Sequence, residues 1–406
     1  MKNGGMAWLE GAKALLPETV SLRRRIHANP ELGLDLPATT QSVLDSLEGL
    51  DVKIERGPST SGLLVTLAGP SQGDTVLLRG DMDALPMQED TGLDFASKEP
   101  GRMHACGHDA HTAMLTGAVK LLHANRARLA GTVKFMFQPG EEGHHGALKM
   151  IEDGLIDAHP KPGAAFAIHV ITNAPAGVIT SKPGAIMAST DEIKIEVWGK
   201  GGHAAMPHFA VDPIPIACEI VMALQTLVTR RINSADPVIL TIAKIESGTT
   251  KNVIPETASL VGTMRSLSEG SRKIAREGIE RIATKIAEAH GARAEVALTP
   301  GYDVTINDGR MVALAAEAAT SLFGEQGFAA MKAPVMGAED FSYVLQRMPG
   351  CMVFLGVAPS SASPGEAAPI HSNRMLLEES AMAHGIALYA AVAERYLERG
   401  LPARER

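Results

Sequence analysis

The sequence predicts an α/β protein in two parts, an open sheet flanked by helices and a smaller ferredoxin-like insertion. Three observations carry this reading. At 406 residues the chain exceeds what one ordinary hydrophobic core organises, which makes two domains the starting expectation. Three short apolar runs, residues 75–78, 132–137 and 164–168, read as strands buried on both faces, and each empties into acidic or imidazole side chains. Between about Gly184 and Thr299 the order becomes strand, helix, strand, strand, helix, strand, the βαββαβ arrangement of a ferredoxin-like domain. The boundaries that follow are 1–186 with 300–406 for the open-sheet domain and 187–299 for the insertion.

Taken in order, a helical region over 6–28 stops at Asn29-Pro30-Glu31, because proline restricts the residue before it. His27, with no ligand chemistry near it in sequence, reads as structural or capping. The run 75–78 leads into Arg-Gly-Asp-Met-Asp-Ala-Leu-Pro, which carries Asp81 and Asp83. Ala110, Met114, Ala118, Leu121 and Leu122 share one helix face. The strand over 132–137 runs into Gln-Pro-Gly-Glu-Glu-Gly at 138–143, and the strand over 164–168 ends at His169. In an open α/β sheet, ligands bind at the carboxyl ends of the strands, so this order gathers the candidates in one crevice.

Within the insertion, Ile193, Ile195 and Val197 alternate with polar residues as a half-buried strand does. A loop over 199–208 precedes a helix over 212–231, and strands follow at 238–245 and 258–264. A second helix turns Ile274, Ile279, Ile282 and Ile286 inward and stops at Gly291, and a strand over 294–298 closes the set. From Gly301 onward the texture is again helix-rich α/β, with a strand over 352–357 and one further ligand type at His371.

The chain is 45% hydrophobic and 21% charged with a net charge of −8, the composition of a globular protein without a general attraction to nucleic acid. No basic run, signal-like segment or long apolar stretch stands out, so the expectation is a cytoplasmic protein with no membrane partner. Cys218 lies in an apolar helical run and Cys351 just before a strand. Both read as core residues, and no disulfide framework is implied.

The densest chemistry is Met-His-Ala-Cys-Gly-His-Asp-Ala-His at 103–111. A Cys-x-His pair brings a thiolate and an imidazole to one centre only where the backbone is extended or turning, and Gly107 supplies that freedom. Taken alone, the pair also fits a buried cysteine beside surface histidines. Ligand types at comparable places elsewhere favour the metal reading.

Gly-Asp-Met-Asp-Ala-Leu-Pro, the 103–111 motif, Gln-Pro-Gly-Glu-Glu-Gly, Gly-Gly-His-Ala-Ala-Met-Pro-His, Asn-Val-Ile-Pro, Met-Gly-Ala-Glu-Asp-Phe-Ser and Ile-His-Ser resemble, in order, motifs of the M20 metallopeptidase family. The resemblance is to its branch of hippurate hydrolases, N-acyl-amino-acid amidohydrolases and auxin-conjugate hydrolases, and it extends from His27 to His371. It implies that Cys106, His108, Glu142, His169 and His371 hold two divalent ions with Cys106 bridging. Zinc or manganese is the first expectation, and cobalt or nickel are alternatives. It further implies Glu141 as general base and then acid, and Asp83 as the carboxylate that orients a ligating imidazole. Asp81 stands where related branches carry a histidine ligand. His203 would stabilise the oxyanion, and Asn252 and Arg265 would bind substrate, with His203 and Asn252 often supplied across a homodimer formed through the insertion.

Two departures from the family pattern are His144-His145, where many relatives have glycines, and Asp303 after Tyr302, where a proline is common. The function implied is cleavage of a small-molecule N-acyl amino acid to a carboxylic acid and a free amino acid. A dipeptidase or aminopeptidase of the same architecture is the first alternative. A non-catalytic metal-binding or ligand-binding protein is the second, and the retained Glu141 speaks against it.

Overall fold

The computed structural model describes residues 2–361 and 365–403. The chain divides into two compact units, Met1–Ile186 with Ile306–Ala333 and Tyr343–Arg406, and Met187–Thr305 with Pro334–Ser342.

The first unit is built on an eight-stranded sheet of β1 (Lys53–Arg56), β2 (Leu63–Ala68), β3 (Asp74–Asp81), β4 (Gly131–Gln138), β5 (Ala164–Ile171), β6 (Ile179–Ser181), β7 (Phe328–Ala330) and β8 (Gly350–Gly356). Their spatial order is β1-β2-β4-β3-β5-β8-β6-β7. The central strands β4, β3, β5 and β8 run parallel. They are almost wholly buried, which is why they read as continuous apolar runs. The sequence reading caught these four in outline but missed β1 and β2. It also ended β5 too early, since His169 lies within the strand.

The connection from β3 runs to β4 on one side and the next, from β4, crosses back past β3 to β5 on the other, so the crevice between β3 and β5 is a topological switch point. The β3–β5 ladder stops at Arg79 opposite Ala167. Past it, side chains stand in for the missing strand. The Tyr389 hydroxyl accepts from Ile168 N–H at 3.3 Å and donates to the Arg79 carbonyl at 2.7 Å, while His111 Nε2 accepts from Val170 N–H at 2.8 Å. Helices Lys2–His27, His108–Ala124 and Met382–Arg399 share the core of this unit.

The second unit holds an antiparallel sheet of Ser189–Trp198, Val238–Ser247, Thr257–Ser266 and Arg293–Pro300. Numbered along the chain, the strands lie in the order 2-3-1-4, the ferredoxin-like arrangement. Helices Pro213–Arg231 and Glu269–Ala289 pack on Ile193, Ile195, Val197 and Leu260. Asp212 and Ser268 cap the two helices through their side chains.

Three expectations need correction. Ile274 is 46% exposed, and the buried face of its helix is Ala275, Gly278, Ile279, Ala283 and Ala287. Ile279 is fully buried and Ile282 and Ile286 pack against the core as expected, while small residues fill the rest of the face because the helices pack closely: a Cβ on Gly278 would sit 2.6 Å from Leu227 Cδ1. Cys218, read as core, is exposed on the outer side of its helix. The insertion ends near residue 305 rather than 299 and also takes in 334–342. Main-chain bonds hold these segments, from Thr190 N to Tyr302 O at 2.9 Å and from Ala188 N to Gly337 O at 2.8 Å, and such bonds leave no side-chain signature.

Candidate metal centre

Cys106 reaches its position because Gly107 adopts φ +86° at the head of helix His108–Ala124. A Cβ there would lie 2.3 Å from Val170 Cγ2, so the loop and β5 approach as only glycine permits. His108 occupies the first turn of that helix, His169 comes from β5, and Glu141 and Glu142 follow β4 directly. His371 adopts φ +64°, a conformation that non-glycine residues rarely take, and its amide donates to Ala105 O at 2.7 Å.

These elements bring together two triads with one shared member. Cys106, His108 and His169 form the first, and Cys106, Glu142 and His371 the second, with the potential ligand atoms of each triad all within 4.8 Å of one another. Cys106 Sγ lies 3.4 Å from His169 Nε2 and 3.3 Å from His371 Nε2. The rings are aimed from behind. His108 Nδ1 donates to the Asp83 main-chain carbonyl at 2.8 Å, and His169 Nδ1 donates to Val170 O at 2.7 Å, so that in the neutral ring Nε2 of each is the nitrogen without a proton.

The Asp83 carboxylate, expected to orient a ligating imidazole, stands beside the same nitrogen with Oδ1 at 3.5 Å, while the main-chain oxygen makes the shorter contact. The carboxylate also accepts two successive amides, Glu141 N at 2.9 Å and Glu142 N at 3.0 Å. It thereby holds residues 141–143 in a turn rather than an extended loop. As a result the two glutamates do not point apart: a carboxylate oxygen from each lies within 4.8 Å of His108's ligating nitrogen. Glu141 is 6% exposed.

The donor set suits divalent ions. His108 Nε2 and Glu142 Oε1 are buried and make no hydrogen bond, a costly state that a cation at this point would relieve. Burial and the neighbouring His111 hold His169 neutral, the ligating form. Burial opposes ionisation of Glu142, but His371 and His108 beside it keep its carboxyl below the usual range. The Cys106 thiol, pushed up to about 12 chiefly by burial, needs a cation to become the thiolate. Two divalent ions would thus be held by Cys106, His108, Glu142, His169 and His371, with Cys106 common to both.

His203, Asn252 and Arg265 belong to the second unit. The two-stranded ladder of Gly202–His203 with Val253–Ile254 places His203 beside Asn252, whose carbonyl accepts from Ala204 N at 3.1 Å. Both side chains are exposed. Ala205 N–H donates to His203 Nδ1 at 3.0 Å, so the neutral ring carries its proton on Nε2. Arg265 stands apart from this pair in strand Thr257–Ser266, half-buried, with no ion pair among the described residues. Burial lowers its pKa.

Sequence reasoning passed over much of the supporting polar framework. His27 is fully buried, its Nδ1 2.8 Å from Asp109 Oδ2 and its Nε2 3.2 Å from Glu89 Oε1, and Arg23 Nε donates to Asp109 Oδ2 at 2.9 Å. His144 is exposed, and His145 at φ +56° precedes helix Gly146–Glu152 with Nδ1 2.8 Å from the Tyr343 hydroxyl. Asp303 accepts from Arg272 Nη1 at 2.7 Å, which joins it to a cluster around the buried Asp191.

Comparisons with known proteins agree with this geometry. The family model described as peptidase family M20/M25/M40 matches residues 77–395. The chain is 38% identical over 382 residues to IAA-amino acid hydrolase ILR1-like 4 of Arabidopsis thaliana, covering 93% of this chain and 85% of the relative. It is 39% identical over 345 residues to N-acetylcysteine deacetylase of Bacillus subtilis, covering 85% and 89%. Among solved structures, the YXEP protein of Bacillus subtilis, described as a dinuclear metal-binding peptidase, superimposes with a TM-score of 0.83 at 32% identity, covering 95% of this chain and 99% of that one.

Proposed function

From the chain's membership of peptidase family M20/M25/M40, whose hydrolases act on amide bonds, we propose that it cleaves N-acyl amino acids to a carboxylic acid and a free amino acid. The observation that carries this reading is the pair of ligand triads joined at Cys106 beside a pinned glutamate, Glu141. The names of two relatives, for hydrolysis of an IAA-amino acid and deacetylation of N-acetylcysteine, support the substrate class. When bound, the divalent ions supply Lewis-acid activation of water and carbonyl. Zinc and manganese suit the mixed sulfur, nitrogen and oxygen donors best, with cobalt and nickel as alternatives.

Glu141 takes a proton from the attacking water and delivers it to the departing amine. Its amide bond to Asp83 fixes the turn from which its carboxylate reaches. His203 Nε2–H donates to the oxyanion, consistent with the proton position that Ala205 imposes, and Asn252 assists from the paired segment beside it. Arg265 takes the substrate's α-carboxylate, which would give its half-buried charge a partner. His203 and Asn252 act across a homodimer. Mixed His203→Ala and Glu141→Gln subunits, each inactive alone, should then recover part of the activity after exchange, and a mixture that stays inactive despite exchange returns His203 to its own chain. A reduced Cys106 suits a reducing compartment, which favours the cytoplasm.

The test is a screen of metal-reconstituted protein against N-acyl amino acids and free-amine dipeptides. Turnover of the acylated substrates is the expected result. Turnover of dipeptides alone would replace this reading with the peptidase one, which the description of the YXEP protein favours.

A further inference from the structure

Asp81, His108 and His111 also stand close enough to hold an ion, with potential ligand atoms within 4.8 Å of one another, and all three are buried. Their hydrogen bonds say otherwise. His111 Nε2 accepts from the main-chain N–H of Val170 at 2.8 Å, so its lone pair is occupied and the ring's proton is on Nδ1. That proton is donated to Asp81 Oδ1 at 2.6 Å. The other carboxylate oxygen, Oδ2, accepts from Arg79 Nη1 at 2.7 Å, and Arg79 is itself fully buried, with Nε donating to Gln138 Oε1 at 2.8 Å. Asp81 Oδ2 stands 3.6 Å from His108 Nε2, a separation at which it could share an ion, but Arg79 already engages it.

We propose that Arg79, Asp81 and His111 are positioning residues that fix the imidazole of His169 and keep Asp81 out of the coordination shell. The chain of contacts is continuous. Arg79 holds Asp81, Asp81 holds His111, and His111 holds the amide of Val170 just where β5 has lost its β3 neighbour. The carbonyl of the same Val170 orients His169 through Nδ1, and the His111 and His169 rings meet edge to face with centroids 4.7 Å apart. An ion on His111 would orphan a buried amide beyond the end of the β3–β5 ladder, where β3 supplies no acceptor.

This proposal rests on the dinuclear reading, and the experiment separates the two. In His111→Gln, the carboxamide oxygen can accept from Val170 while its NH2 donates to Asp81, so the relay survives although an amide is a poor metal ligand. In His111→Phe, the volume is kept and both bonds are lost. Metal content is measured after dialysis against a graded chelator, together with the visible spectrum of the cobalt(II)-loaded proteins. The expected result is two ions and a wild-type spectrum for His111→Gln. For His111→Phe, one ion should be lost to chelator about 10–100-fold more readily, with altered cobalt bands. Loss of one ion outright from His111→Gln would make His111 a ligand and overturn the proposal, and His111→Gln decides the matter even if His111→Phe does not fold. Asp81→Asn is expected to keep two ions, and a drop to one would make Asp81 a ligand. Fewer than two ions in the wild-type protein would instead overturn the dinuclear reading.

Discussion

The two units present their chemistry in opposite ways. In the first, each candidate ligand is held from behind: Asp83 clamps the amides of Glu141 and Glu142 and aims His108, Val170 aims His169, and Ala105 anchors His371. In the second, His203 and Asn252 are exposed at a short two-stranded ladder, and Arg265 has no ion pair among the described residues. The candidate ligands are therefore preorganised during folding, with the cost spread over buried hydrogen bonds, whereas the second unit's groups have no comparable support; the proposed function has substrate supply their partners. Substitutions in the first unit should change metal content or the chemical step, and those in the second should change recognition.

The largest effect expected is that of Cys106→Ala, which removes the ligand common to both triads. Metal analysis should find at most one ion and kinetics no measurable turnover, and two ions at ordinary affinity would refute the shared position. Glu141→Gln should retain both ions and lose turnover by roughly 10²–10⁴-fold, the range for losing a general acid–base group. Substantial activity at full metal occupancy would exclude Glu141 as the base.

The same contrast explains what was legible in the sequence. Glu142 and His169 could be singled out because they accompany buried strands, which announce themselves as apolar runs, whereas the full ligand set with Cys106, His108 and His371 entered through the family resemblance. The framework behind it could not. Asp81 was noted as standing where related branches carry a histidine ligand, and Arg79 and His111 were given no role of their own, because spacing shows which residues are near but not which nitrogen carries the proton. Asp83 was expected to act on an imidazole through its carboxylate, and the part its main-chain carbonyl and the Glu141 and Glu142 amides play had no sequence signal. In the second unit the alternation of Ile193, Ile195 and Val197 gave the strand at once. In helix Glu269–Ala289 only Ile274 was misplaced; Ile279, Ile282 and Ile286 do face the core, beside small residues that the apolar pattern did not single out. His203, Asn252 and Arg265 carry no local signal and entered only through the family resemblance.

A smaller effect, confined to recognition, tests the second unit. Wild-type protein should prefer an N-acyl amino acid over its α-amide on the order of a hundredfold in kcat/KM, because the amide leaves a half-buried guanidinium unpaired. Arg265→Ala should shrink that preference sharply while metal content stays at the wild-type value. An undiminished preference would move carboxylate recognition to another residue, and loss of metal would break the division of labour between the units.

The smallest effect separates the units by pH. Burial of His27 opposes its protonation, but Asp109 and Glu89 outweigh burial and raise its pKa from 6.5 to about 9. A folded-state pKa above the unfolded one means the folded protein binds the proton more tightly. The resulting stability is fully present below about pH 6.5 and is lost as pH rises through about 9. The full shift corresponds to about 3 kcal/mol as an upper bound. His104, held neutral by burial with its pKa pushed down to about 4, adds no titration in that window. The comparable buried cluster of the second unit is different: Arg272 bonds to Asp191 and Asp303, and those carboxylates raise a guanidinium pKa already far above the range. Urea unfolding at pH 6.5 and pH 9.5 should therefore show His27→Gln destabilised mainly at the lower pH, its deficit shrinking toward pH 9.5. Asp303→Asn should show the same deficit at both. A His27→Gln deficit independent of pH would mean that the His27–Asp109 contact acts through packing and neutral hydrogen bonding, as a fixed strut beneath the helix that carries His108.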